Sequence, residues 1–147
     1  MQMMNHRGDI MLKRKQPIIA FAILIVILVL ELLPYGIILE FAHMSPDFTV
    51  SYYEQHFSYF DLIVYGYGNV GALFTAIQTC VLLVISAIYC FVKNSKMKMA
   101  INILSLVAFL TSLSPLLVDC YTILGGIISL LLLLFIISLK KVANEKI

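Results

Sequence analysis

The residues of this chain whose types and spacing could do chemistry fall into three groups. The first is Gly66-Tyr67-Gly68-Asn69-Val70-Gly71, a GxGxxG sequence behind the apolar run Leu62-Ile63-Val64-Tyr65. In a dinucleotide-binding unit such glycines let the backbone approach a pyrophosphate at a helix N-terminus. That chemistry also needs a βαβ unit of ~30 residues with an acid about 20 residues on, to hold the ribose. No Asp or Glu lies between Asp61 and Asp119, so the nucleotide reading fails. Gly68, Ala72 and Ala76, spaced by four, instead make a stripe of small residues on which a neighbouring helix can pack closely.

The second group centres on Glu31, the one charged residue in the interior of a long apolar run. Counted from Pro17, its Cα lies roughly 21 Å along a helix. A carboxylate at that depth in a bilayer costs on the order of 2.5–3.5 kcal/mol, so it must face other helices or a wet cavity, or be protonated. Thr75, Gln78 and Thr79 share one face of the next apolar run. With Asn69, with Thr111, Ser112 and Ser114 further on, and with Asp119, they form a candidate polar site around Glu31. Two roles compete for it. One is a proton- or cation-binding site; the other is a hydrogen bond that holds helices together, worth roughly 0.6 kcal/mol. Pro34 withholds the N–H that would bond the carbonyl of Leu30, and can kink or end the helix there.

The third group is the segment from Phe41 to Tyr67, with nine of the chain's 17 Phe and Tyr residues. Aromatics at that density suit a membrane interface. His43, His56, Asp47, Glu54 and Asp61 are the titratable residues there, and no pair has a metal-ligand spacing. The segment reads as a solvated outer loop whose aromatic, acidic surface suits a partner protein or a cationic ligand and repels nucleic acid. Cys80, Cys90 and Cys120 lack a CxxC pattern and read as free packing residues. No Ser/His/Asp, Cys/His or paired-carboxylate arrangement is present, so neither an enzyme, a metal nor a cofactor is expected.

The elements that must position these residues follow from composition. Of 147 residues, 62% are hydrophobic and 12% charged, with a mean hydropathy of +1.01; soluble domains carry about 25% charge. A soluble enzyme and a large extramembrane domain are excluded. A bilayer crossing takes about 20 apolar residues. Four runs meet that length: 17–41, 62–92, 99–118 and 121–139. The expectation is one all-α integral membrane domain, a four-helix bundle of four spans. Residues 1–16 form an N-terminal segment, 42–61 the outer loop, 93–98 a short loop and 140–147 a tail. All ten basic residues flank these runs at 7–15, 93–98 and 140–146, whereas Glu40, Asp47, Glu54, Asp61 and Asp119 lie at the opposite ends. The positive-inside rule then places both termini and the 93–98 loop in the cytoplasm of a multi-pass protein of the cell membrane. The first run reads as a retained signal anchor, since no small-x-small cleavage pattern follows it, and the sequence leaves the initiator open between Met1 and Met11.

Glu31 to Gly36, Phe57 to Asp61 and Thr75 to Leu82 together resemble a family of small, uncharacterised bacterial four-span membrane proteins. The resemblance covers the first two runs and the loop and implies no activity. Small multidrug transporters also carry a first-helix Glu, but here the acid sits toward the outer side and Trp is absent. The expected function is a non-enzymatic accessory or interaction component, its partners being the lipid bilayer and a second copy or another membrane protein. The alternative is a small proton- or cation-linked transporter or channel using Glu31.

Overall fold

A computed structural model describes residues 18–62, 70–92 and 94–144. Helix α1 spans Ile18–Glu31. It is followed by strands β1 (Ile37–Met44) and β2 (Val50–Phe57), helices α2 (Val70–Val92) and α3 (Ser95–Ser112), a 3-10 segment (Ser114–Val118), and α4 (Ile123–Asn144). The two strands form one antiparallel hairpin.

This architecture overturns the all-α bundle of four spans. Two helical stretches, Val70–Val92 and Ser95–Val118, are long and apolar enough to cross a bilayer. The apolar parts of the other two, Ile18–Glu31 and Ile123–Leu139, reach about 21 and 26 Å against a core of about 30 Å. The placement of both termini in the cytoplasm falls with the four-span topology. The first run was miscounted because it holds two kinds of backbone. Leu33 N–H closes a tighter turn on Leu30 O at 3.2 Å, the carbonyl that Pro34 cannot serve, and the helix stops at Glu31. Beyond it, Ile37 and Leu39 are buried while Glu40 is exposed, a strand alternation inside an apolar run whose composition suits either structure.

The predicted outer loop is the hairpin. Its register pairs Ile37 with Phe57 and Met44 with Val50. The turn is built on Ser45-Pro46-Asp47-Phe48, with Pro46 at the position its fixed φ favours and Phe48 N–H donating to Ser45 O at 3.0 Å. Phe48 follows with φ 58°, in the left-handed region.

The helices are sorted inside out relative to a water-soluble protein. Where α2 meets its neighbours it buries Ala72, Thr75, Ala76, Thr79, Leu82 and Ser86, and α3 buries Ile101, Ser105, Ala108 and Ser112. Phe74, Ile77, Val84 and Phe91 point outward, Phe91 being 88% exposed. Small and hydroxyl-bearing residues at the contacts, with large apolar ones outside, are what lipid-facing helices require. Ala72 and Ala76, two of the stripe of small residues, are fully buried on α2; Gly68 lies outside the described residues. Gly71 lies against the 3-10 segment, where an added Cβ would overlap the Ser114 side chain. Asn94 caps α3, its Oδ1 accepting from Lys96 N–H at 2.9 Å, and the two helices run antiparallel, since Thr75 in the first turns of α2 meets Thr111 in the last turn of α3.

Candidate functional site

Glu31 ends α1 because Pro34 stops the helix, and the stripe Ala20, Leu24, Ile27 and Glu31 faces inward. The acid is fully buried. Thr79 Oγ1 of α2 donates to its Oε1 at 2.8 Å. Its Oε2 has no hydrogen-bond partner. One turn away, Thr75 donates to Thr111 Oγ1 at 2.9 Å, and Thr111 to Gln78 Oε1 at 3.1 Å, a relay that joins α2 to α3. Ser112 donates to Ser129 Oγ at 2.9 Å, carrying the polar seam into α4.

Of the residues assembled around Glu31 from the sequence, the structure brings Thr79 to the acid, with Thr75 and Gln78 in the adjoining relay. Asn69 lies outside the described residues. Asp119 is not part of the seam: it is exposed and closes the 3-10 segment with φ 52°, a conformation that Asp tolerates better than most residues.

Sequence reasoning missed a second cluster, which ties the base of the hairpin to Glu31 and α4. Tyr59 N–H donates to Glu31 O at 3.0 Å, and Gly36 N–H to Phe57 O at 3.0 Å. Thr122 Oγ1 donates to Gly36 O at 2.8 Å and accepts from Gly125 N–H at 2.9 Å. The fully buried Tyr59 ring lies against Gly36, where an added Cβ would come within 2.6 Å of Cδ1, and a Cβ on Gly125 would meet its hydroxyl at 3.2 Å. Gly125 therefore packs on the hairpin base. The available signal was a pair of glycines and an aromatic in separate segments, which has no periodicity to reveal it.

The Tyr59 hydroxyl, like Glu31 Oε2, lacks a partner. Burial above all, then the nearby Glu31 and Tyr121, push its phenol above the ordinary range. Burial, and then Asp119, push the Cys120 thiol up as well. All three cysteines are free thiols. Among the described residues no three His, Cys, Asp or Glu side chains converge as a metal-ligand set. Chemically, the seam holds an acid with one oxygen satisfied and one without a partner, and hydroxyl groups engaged with one another across the helices.

The hairpin leaves that seat quickly. Ile37 and Leu39 are buried, but every residue from Val50 to His56 is exposed. Phe41 stacks on Tyr53 with centroids 5.6 Å apart, and Tyr35 meets His56 edge-on at 5.5 Å. No known protein family, curated protein or solved structure matches the chain.

Proposed function

We propose that this chain is a non-enzymatic, multi-pass protein of the cell membrane that presents its β-hairpin to a partner protein. In this reading α2 and α3 cross the bilayer as an antiparallel pair. Lys93, Lys96 and Lys98 at their turn are then cytoplasmic, and the hairpin, with Glu40, Asp47 and Glu54, is outside. The observation that carries the proposal is Phe48. It sits at the hairpin turn with φ 58° and is 83% exposed. A left-handed backbone there favours Gly or Asn, so a phenylalanine costs stability without repaying it through burial. A bare aromatic in a strained turn is what a contact surface would hold. Tyr52 and Tyr53 add to it, 67% and 53% exposed.

The test is photo-cross-linking in intact cells with a benzophenone residue at position 52 or, as a lipid-facing control, at 84. A discrete protein adduct at 52 and none at 84 is expected. A cysteine at position 47 should also react with a membrane-impermeant reagent. An unlabelled position 47, or no adduct at 52, would overturn the proposal.

The bare Oε2 of Glu31 favours a second reading, a small proton- or cation-linked transporter. In proteoliposomes a Glu31→Gln variant that folds normally but loses a measurable flux would establish it.

A further inference from the structure

The hairpin register sets Glu40 directly across from Glu54. Both are exposed, on the face opposite to that of Leu39, Phe41 and Tyr53, since alternate residues of a strand share a side. Directly opposed residues have Cβ atoms about 4.5–5.5 Å apart, and like charges there destabilise the pair. Nothing nearby in sequence offsets the repulsion: no Lys or Arg occurs between Lys15 and Lys93. On the same face Tyr52 lies two residues to one side of Glu54. His56, met by the Tyr35 ring, lies two residues to the other. The outer edge of β2 is unpaired as well among the described residues, where the sheet has two strands and β2 is bound only to β1. Two-stranded hairpins are marginal alone, and an open edge offers its N–H and C=O groups to any extended chain.

We propose that the β2 edge binds an extended segment of a partner protein, added as a third strand, with a Lys or Arg placed beside Glu54 and long enough to reach toward Glu40 on β1. This rests on the reading of the hairpin as an interaction surface and names its partner's chemistry. The occupant follows from charge complementarity. A basic side chain beside Glu54 relieves the Glu40–Glu54 repulsion, and Tyr52, two residues away on the same face and 67% exposed, offers it a ring to which a cation is attracted. A second copy of the chain is a poorer occupant, because pairing β2 with itself adds more carboxylates to the same face and no cation. Strand addition supplies main-chain bonds for affinity, and the alternating side chains supply selectivity.

The experiment uses the full-length chain in neutral detergent micelles and a labelled eight-residue peptide of alternating Thr and Lys, read by fluorescence anisotropy. A Thr-Glu peptide, and a Thr-Lys peptide N-methylated along one edge, should each bind at least fivefold more weakly. Glu40→Gln with Glu54→Gln should weaken the Thr-Lys peptide at least fivefold. The same change should slow hydrogen exchange of the hairpin amides about twofold to fivefold, since the repulsion is gone. Loss of binding together with a firmer hairpin is an outcome that misfolding cannot produce. Equal binding of the N-methylated peptide would show attraction by charge alone and overturn strand addition. Equal binding of the Thr-Glu peptide, or concentration-dependent dimers linked through β2, would overturn the basic partner. If position 52 cross-links a protein in cells while the Thr-Lys peptide does not bind, the interaction surface stands and this inference fails. No adduct at all removes both.

Discussion

Thr79 and Glu31 stand 48 positions apart in sequence, yet the threonine hydroxyl donates to the acid at 2.8 Å and both side chains are fully buried. That bond closes α1 on α2 at the residue where α1 ends. Tyr59 N–H bonds the carbonyl of the same Glu31. One residue thereby fastens a helix to its neighbour through its side chain and to the hairpin base through its backbone.

Removing the acid tests this joint. Glu31→Gln keeps a carbonyl oxygen for Thr79 and is expected to stay within about 1 kcal/mol of the native stability, whereas Glu31→Ala loses the bond and leaves a cavity, at about 2–4 kcal/mol. Denaturant unfolding of the detergent-solubilised protein measures both. A double-mutant cycle with Thr79→Val should give a coupling near 0.6 kcal/mol, and no more than about 2. An alanine variant as stable as the native chain would remove Glu31 from the joint.

Tyr59 and Gly36 should respond with opposite signs. Gly36→Ala drives a methyl into the buried Tyr59 ring and is expected to cost about 1–3 kcal/mol. Tyr59→Phe removes a hydroxyl that is buried without a partner and should be neutral or slightly stabilising. Thermal melts distinguish the two. A large loss on Tyr59→Phe would mean that the hydroxyl is satisfied in solution.

The hairpin turn offers a gain in stability. Phe48→Gly relieves a left-handed backbone at a residue that buries little, and is expected to add about 1 kcal/mol to hairpin stability. Amide exchange across β1 and β2 reads the change. If the variant also loses the cross-link at position 52, stability and binding trade against each other at Phe48.

Cys120 is the pH probe. The folded-state thiol is raised by burial and by Asp119, and the thiolate is the reactive form. In a Cys80→Ala, Cys90→Ala background, alkylation of Cys120 should therefore be slower than that of free cysteine, and its rate should climb at a higher pH. Rates measured from pH 7 to 10 decide it; a profile that overlays free cysteine would contradict the burial.

The inside-out sorting of the helices predicts where bulk is tolerated. Ala72→Leu overpacks a contact with no exposure and should cost about 1–3 kcal/mol, while Val84→Leu, on an outward face, should stay within about 0.5 kcal/mol.

The extent of what could be read in the sequence differs from residue to residue. Ala72 and Ala76 were legible as a packing face because a spacing of four needs nothing but the helix itself. Thr75, Gln78 and Thr79 were legible as one polar stripe for the same reason, and Glu31 because a lone acid in an apolar run demands a partner. The hairpin was not legible. Ile37, Ile38 and Leu39 extend an apolar run as a helix would, and aromatic density suits an interfacial loop as well as a strand. The cluster of Gly36, Tyr59, Thr122 and Gly125 was hidden because its members come from three separate segments.

By itself, then, the sequence determined the apolar character of the chain, the segregation of its charges and the helical faces of α2, since each depends on local composition or on the period of one element. Tertiary structure alone decided that the first apolar run divides into a short helix and a strand. It also decided that Glu31 meets Thr79 and not Asp119, and that Glu40 faces Glu54. Those outcomes rest on which distant segments bury one another's polar groups, and a hydrogen bond across 48 residues has no signature in the spacing of either partner.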